Sequence, residues 1–213
     1  MRALDGDEKE AKRQAILDAA DALFAKHQNL ANVADVAKAA GLAKGTVYLY
    51  FQSKEEIYLA LHLRHVEQFF TRLIGRLESD QPFGFDEMQS LAQEHILDAT
   101  TYLPLGACCI GFAAGAVAKE ASAHFQARLT AWLEAAGQGL ERHFQKLPRG
   151  EGVRLLQHSY AIMVGLHSLL REARSVPKCE GMGTFQDEAR LALTRYWTHV
   201  ARIDESVKPR AKK

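Results

Sequence analysis

Helical periodicity with no competing strand pattern is the strongest constraint on this chain. Apolar residues recur at spacings of three and four along nearly every segment, and no run alternates apolar with polar residues long enough to need a strand. The fold class that follows is all-α, with about nine helices. The first, from about Asp7 to His27, places Ile16, Ala20, Leu23 and Phe24 on one stripe. Asn32 is positioned to cap a second helix that runs to Gly41, with Asp35 in the first turn where the helix dipole favours an acid. A short third helix covers about Lys44 to Tyr50. Ser53 and Glu56 then stand as a capping box that opens a fourth helix through Ile57, Leu61, Phe69, Leu73 and Leu77 to the turn cluster Asp80–Gly84. Beyond it the pattern predicts a helix from Asp86 to about Thr101, a break at Pro104 and Gly106, and a small-residue helix to about Lys119. A long helix from Ala121 to Lys146 and a final pair, about Val153–Ser175 and Phe185–Ile203, complete the set, the pair separated by a linker containing Pro177, Gly181 and Gly183.

Composition narrows the possibilities. With 213 residues, 47% hydrophobic and 25% charged, the chain has the profile of a soluble globular protein of one or two domains, which excludes disorder and collagen. Its longest uncharged stretch, Gly106 to Ala118, is shorter than the roughly 20 apolar residues that cross a bilayer, so no membrane span is expected. Met1 to Gln14 is charged and lacks the apolar centre of a secretory signal. Three cysteines, two of them adjacent at Cys108 and Cys109, make no disulfide framework. The expected setting is reduced and cytoplasmic.

The net charge of +1 hides a local field. From Val36 through Lys54 there is no acidic residue, while Lys38, Lys44 and Lys54 make the window basic. A second basic cluster, Lys208, Arg210, Lys212 and Lys213, falls in residues 206–213, read as a solvated tail. Within the first window, two helices joined by a short glycine-containing turn form a helix-turn-helix, whose turn is tight only where the residues facing across it are small; Ala37 and Gly41 are. Val36, Ala40, Leu42, Val47 and part of Tyr50 fill the wedge between the helices, and Lys44, Thr46, Tyr48 and Leu49 point away. That outward set suits duplex DNA: lysine and tyrosine meet phosphate oxygens, Thr46 reaches base edges or phosphate, and Leu49 touches a thymine methyl.

The string Ala40-Gly41-Leu42-Ala43-Lys44-Gly45-Thr46-Val47-Tyr48-Leu49-Tyr50-Phe51, followed by Ser53-Lys54-Glu55, resembles the signature of TetR-family transcriptional regulators. The resemblance reaches back to Ile16–Ala20 and Leu23-Phe24 and covers roughly residues 10 to 60. It implies a homodimer that represses transcription at a palindromic operator and leaves it when a small molecule binds the C-terminal domain. It also implies DNA contacts from Asn32, Lys44, Gly45, Thr46, Tyr48, Leu49, Tyr50 and Lys54, with Tyr48 and Lys54 on phosphates and Asn32 aiming a helix N-terminus at another. Two departures from the family pattern stand out: the turn after helix 1 lacks the usual glycine, and Ala43 replaces the customary serine cap. The domain limits follow as 1–53 for the DNA-binding head and 54–205 for ligand binding and dimerisation.

In the C-terminal part no enzyme signature is present: no His-Glu-x-x-His, no Gly-x-Ser-x-Gly, no phosphate loop and no Glu-x-x-His pair. Catalysis, a cofactor and a metal are not expected; His62, His65 and Glu67 read as a solvated polar face, and the paired cysteines as packing residues. In the family the helices carrying Phe69, Phe70, Leu73, Leu91, His95, Tyr102, Cys108, Phe112, Phe125, Trp132, Tyr160 and Met163 surround the inducer cavity. With no cluster of buried charge, the expected effector is small and largely apolar. The last two helices are apolar on more than one face, so Leu156, Leu166, Leu170, Leu193, Tyr196 and Val200 are the expected dimer contacts, pairing as a four-helix interface about a two-fold axis. The alternative is a helical ligand-binding protein or enzyme that keeps a relic DNA-binding head.

Overall fold

The computed structural model describes residues 2–172 and 181–201. Among the described residues there are nine α-helices and no strand: α1 Arg2–His27, α2 Val33–Ala39, α3 Lys44–Tyr48, α4 Lys54–Leu77, α5 Phe85–Ala92, α6 Tyr102–Ile110, α7 Lys119–His143, α8 Glu151–His167 and α9 Phe185–Val200. Helices α5 and α8 run on into single π-helical segments, Gln93–Leu97 and Ser168–Glu172. The fold is all-α, as the periodicity predicts. The expected end of α8 at Ser175, the linker proline Pro177, the end of α9 at Ile203 and the basic tail 206–213 lie outside the described residues.

The chain forms two compact units, each drawn from two stretches of sequence: Met1–Gln68 with Ala99–Leu129, and Phe69–Asp98 with Thr130–Lys213. The first unit runs on past the boundary expected at Ser53. The first unit is built on a core from five helices: Ile16, Leu17, Ala20 and Phe24 of α1, Val36 and Ala37 of α2, Val47 of α3, Ile57, Tyr58 and Leu61 of α4, and Leu105 of α6. Burial of these side chains is the main force holding the short α2 and α3, which are too brief to persist alone. Polar ties supplement it. Arg64 on α4 reaches Asp18 at 2.5 Å and Gln14 at 3.2 Å on α1, and His65 Nε2 lies 3.3 Å from Asp21. Burial of Asp21 pushes its carboxyl up, but His65 and Arg64 outweigh this and hold it below the ordinary aspartate range.

Two segments of this unit depart from the sequence reading. Pro104 and Gly106 do not break a helix; both lie inside α6, where Pro104 is the third residue and its missing N–H is one that the first turn leaves without an intrahelical partner anyway. The expected small-residue helix to Lys119 instead stops at Ile110. Gly111 ends it, and 112–118 form an irregular connection with a turn at 114–115, where Gly115 adopts φ 84°.

The second unit is organised by aromatic side chains and by close backbone approach. Trp197 of α9 is 1% exposed and donates its indole N–H to Ser159 Oγ on α8 at 2.8 Å, and that hydroxyl donates to Leu155 O at 2.7 Å. Phe85 and Phe144 rings lie 5.4 and 5.8 Å from Trp197. Where α7 meets α8, a Cβ built on Gly152 would stand 2.2 Å from the Gly137 carbonyl oxygen, so these helices touch backbone to backbone and only glycine fits. No described helix is long and apolar enough to cross a membrane.

Candidate nucleic-acid interface

The geometry of α2 and α3 is set by their ends. Asn32 is extended, and its Oδ1 accepts hydrogen bonds from the Ala34 and Asp35 N–H groups at 2.9 and 3.0 Å, while its Nδ2 donates to Asp35 Oδ2 at 2.7 Å. At the other end of α2, Gly41 adopts φ 68°. The Leu42 N–H then bonds to Ala37 O at 2.9 Å and the Gly41 N–H to Lys38 O at 3.2 Å, the paired bonds of a Schellman turn. A side chain at position 41 would be strained in that backbone. Ala43 occupies the cap of α3 without a side-chain hydrogen bond, as its methyl dictates.

This turn sets which residues of α3 face outward. Val47 is fully buried beneath the helix, whereas Tyr48 is 47% and Leu49 79% exposed. Lys44 and Gly45 are exposed, Thr46 is half-buried, and the Lys44 ammonium lies 5.9 Å from the Tyr48 ring centre. Helix α3 ends at Tyr48, not Tyr50; Leu49 and Tyr50 continue it as a tight turn, with N–H groups bonded to Thr46 O and Val47 O. Tyr50 differs from its neighbours. It is half-buried and packs against the core, away from the Tyr48–Leu49 surface. Lys54 is solvent-accessible at the start of α4, 3.9 Å from Glu55.

Supports for this surface come from α4. Ser53 Oγ accepts the Glu56 N–H at 3.1 Å and donates to Ala116 O at 2.9 Å, and the Glu56 carboxylate turns back to accept the Gln52 N–H. The capping box is present in a shifted form, reaching one residue further back than predicted. Tyr58, fully buried, accepts the Ala31 N–H on its hydroxyl at 2.9 Å and so fixes the entry to α2. Sequence reasoning missed Tyr58, because it follows the periodic Ile57 and reads as one more flank of the α4 stripe. The missing glycine after α1 is explained by Gln28, which itself adopts φ 52° while its side-chain amide donates to Ala25 O at 3.2 Å.

The residues expected to line an effector pocket are divided between the two units. In the second, Phe69, Phe70, Leu73 and Met163 are buried, Trp132 stacks on Phe70 at 6.1 Å, and Leu91, His95 and Tyr160 are half-buried. In the first, Tyr102 is buried with its ring 5.6 Å from that of His62, and Cys108 and Phe112 pack on the core. Phe125 alone of the expected set lines a cavity of about 150 Å³, together with Tyr50, Phe51 and Leu63 among others. His62 is stacked on Phe125, and burial lowers its pKa to about 3. Burial likewise pushes the Cys109 thiol up to about 12, the opposite of a reactive thiolate. His62, His65 and Glu67 do not converge: Glu67 pairs with Arg128 at 2.5 Å, and among the described residues no group of three candidate ligands could hold a metal.

Of the expected dimer contacts, Leu156 and Leu193 are already buried within the second unit, and Leu166, Leu170, Tyr196 and Val200 are half-buried. Among the described residues of that part of the chain, Leu169 and Leu191, at 41% and 44% exposure, are the large apolar side chains left open.

An all-α protein that presents a short helix behind a capped, glycine-closed turn is a helix-turn-helix protein. Residues 16–61 match the family model for bacterial regulatory proteins of the tetR family. A stretch of 69 residues is 41% identical to the Fatty acid metabolism regulator protein of Bacillus subtilis (strain 168), covering 31% of this chain and 34% of that one. The match thus spans about a third of the length of the curated relatives. The fold is shared much further. A TetR-family transcriptional regulator structure from Syntrophomonas wolfei superposes with a TM-score of 0.63 at 20% identity, over 93% of this chain and 99% of that chain. SmeT, described as the repressor of the Stenotrophomonas maltophilia multidrug efflux pump SmeDEF, superposes with a TM-score of 0.59 at 17% identity over 94% of both chains, and its complex with triclosan superposes equally well. Residues 16–61 thus resemble the tetR-family head, and the fold of nearly the whole chain is that of the TetR-family structures.

Proposed function

We propose that this protein is a ligand-responsive transcriptional repressor that binds a palindromic operator as a homodimer and is released by a small, largely apolar effector. The observation that carries the reading is the exposed strip Lys44–Tyr48–Leu49, held outward by buried Val47 and the Gly41 turn, within the segment that matches the family. Tyr48 and Lys54 serve phosphates, while Thr46 and Leu49 approach base edges. In such a dimer two copies of α3 stand about 34 Å apart to enter successive major grooves. Residues 1–53 form the DNA-binding head and 54–205 the ligand-binding and dimerisation part. The half-buried apolar residues of α8 and α9, with Leu169 and Leu191, supply the two-fold contact. The fold neighbour that binds triclosan, an aromatic apolar compound, supports the effector class, and the relatives, being regulators, support a non-catalytic role in the cytoplasm.

A gel shift with DNA flanking the protein's own coding region, with and without hydrophobic compounds, tests the reading. A retarded band that is lost on adding a compound is the expected result. Indifference to every duplex from that neighbourhood overturns DNA binding, and a band that no hydrophobic compound disturbs overturns the effector class.

A further inference from the structure

The cavity in the first unit shares only Phe125 with the expected effector set, and its walls explain what it could hold. Its volume of about 150 Å³ accommodates one benzene-sized ring. Phe51, Leu59, Ala60 and Leu63 offer it an apolar surface, and Phe125 an aromatic one. Its polar wall is uneven in chemistry. The Glu56 carboxylate is already engaged on the Gln52 N–H. The Arg13 guanidinium, by contrast, sits 5.5 Å over the Phe51 ring with its nearest carboxylate, Glu10, at 3.7 Å, too far for a hydrogen bond. Among the described residues this ion pair is the one recorded for Arg13, so a planar donor fork stands at an aromatic-lined hollow with room for a further partner.

We propose that this cavity is a binding site for a small aromatic carboxylate, whose ring lies against Phe51, Leu63 and Phe125 and whose carboxylate takes the Arg13 fork. Its position gives it a consequence. Tyr50 and Phe51 are both cavity walls and lie two and three residues past the end of α3, their N–H groups bonded to Val47 O at 2.9 and 3.0 Å. A bound ring therefore acts on the end of the helix that presents Tyr48 and Leu49. Resting on the reading of that helix as the DNA contact, the site lets a second, charged effector adjust operator affinity from within the first unit.

Phenylacetate and its uncharged isostere phenylacetamide, titrated into the full chain without DNA and followed by NMR, test the site. Phenylacetate binds saturably, and phenylacetamide about tenfold more weakly, as expected for loss of a charge-assisted pair of hydrogen bonds. Arg13→Gln removes the difference between the two probes, and Leu63→Trp, which fills the hollow, removes binding of both. Arg13 lies a third exposed on α1, so its substitution keeps the test informative even if Leu63→Trp does not fold. Absence of saturable binding, equal binding of the two probes, or a discrimination that survives Arg13→Gln overturns the proposal. Operator affinity measured with and without phenylacetate then separates the two readings. A chain that binds phenylacetate and no DNA retains the site and loses the regulator. One that binds DNA and no phenylacetate does the reverse.

Discussion

The two compact units reach their folds by different means. In the first, the decisive features are local: Asn32 caps its own helix, Gly41 closes a turn of four residues, and Ser53 bonds to a group three residues away. In the second, they are distant in sequence: Gly137 against Gly152, and Trp197 against Ser159. Local devices specify a small surface with accuracy, while remote contacts specify how helices of generic composition stack. Under the proposed function, a head that reads DNA draws on the former, and a body that accepts a ligand on the latter.

The largest effect expected from breaking this arrangement is acid sensitivity. Burial holds His62 neutral, with a folded-state pKa of about 3 against an ordinary 6.5. Between those values the unfolded chain binds the extra proton, so stability falls by about 1.4 kcal/mol for each pH unit as pH drops from 6.5 towards 3. His62→Phe, which keeps an aromatic ring beside Phe125, flattens that slope in denaturant titrations across pH; an unchanged slope refutes the assignment. Next comes the glycine contact. Gly152→Ala costs about 3 kcal/mol, since the new methyl meets the Gly137 carbonyl and the helices must part. Thermal unfolding checks it, and a loss no greater than that of an exposed helical glycine replaced by alanine would mean the backbones are not in contact.

In the head the effects are smaller and fall on binding instead of folding. Tyr48→Ala weakens operator binding across sequences and leaves the salt dependence almost unchanged, because tyrosine is uncharged. Lys54→Ala lowers the slope of log affinity against log salt by about one. Both variants should melt with the wild type, since both side chains are solvent-accessible. Finally, Asn32→Ala removes two hydrogen bonds to the first turn of α2 and destabilises the chain by about 1 kcal/mol. A loss of that size confined to operator affinity, with no change in melting, would place Asn32 on the DNA and not in the cap.

Legibility in the sequence follows the same division. The helix-turn-helix and the outward set Lys44, Tyr48 and Leu49 were readable because the information lies within a few residues of each side chain. The errors arose where position within a longer object decides. Pro104 breaks a helix in its middle but not at its third residue, and no local pattern says which applies. Leu156 and Leu193 carry the same helical spacing whether they face a partner or the interior of their own unit, where both are buried. The cavity beside Tyr50 requires α1, α4 and α7 to meet, so only Phe125 of its wall is anticipated as a ligand contact, and Arg13 is one charge among many in the stretch from Met1 to Gln14. Tyr58 was invisible because a buried hydroxyl leaves no periodic mark.

Gln28 supplies a last consequence. It occupies a left-handed backbone that costs an ordinary side chain about 1 kcal/mol or more, and its own amide partly offsets that by bonding to the end of α1. Substitution tolerance at this one site should therefore be narrow and non-hydrophobic in its logic. Glycine and asparagine are accepted for the bend itself, and valine or isoleucine rejected although they are no larger, so that a library randomised at codon 28 would sort by torsion angle instead of by polarity or size.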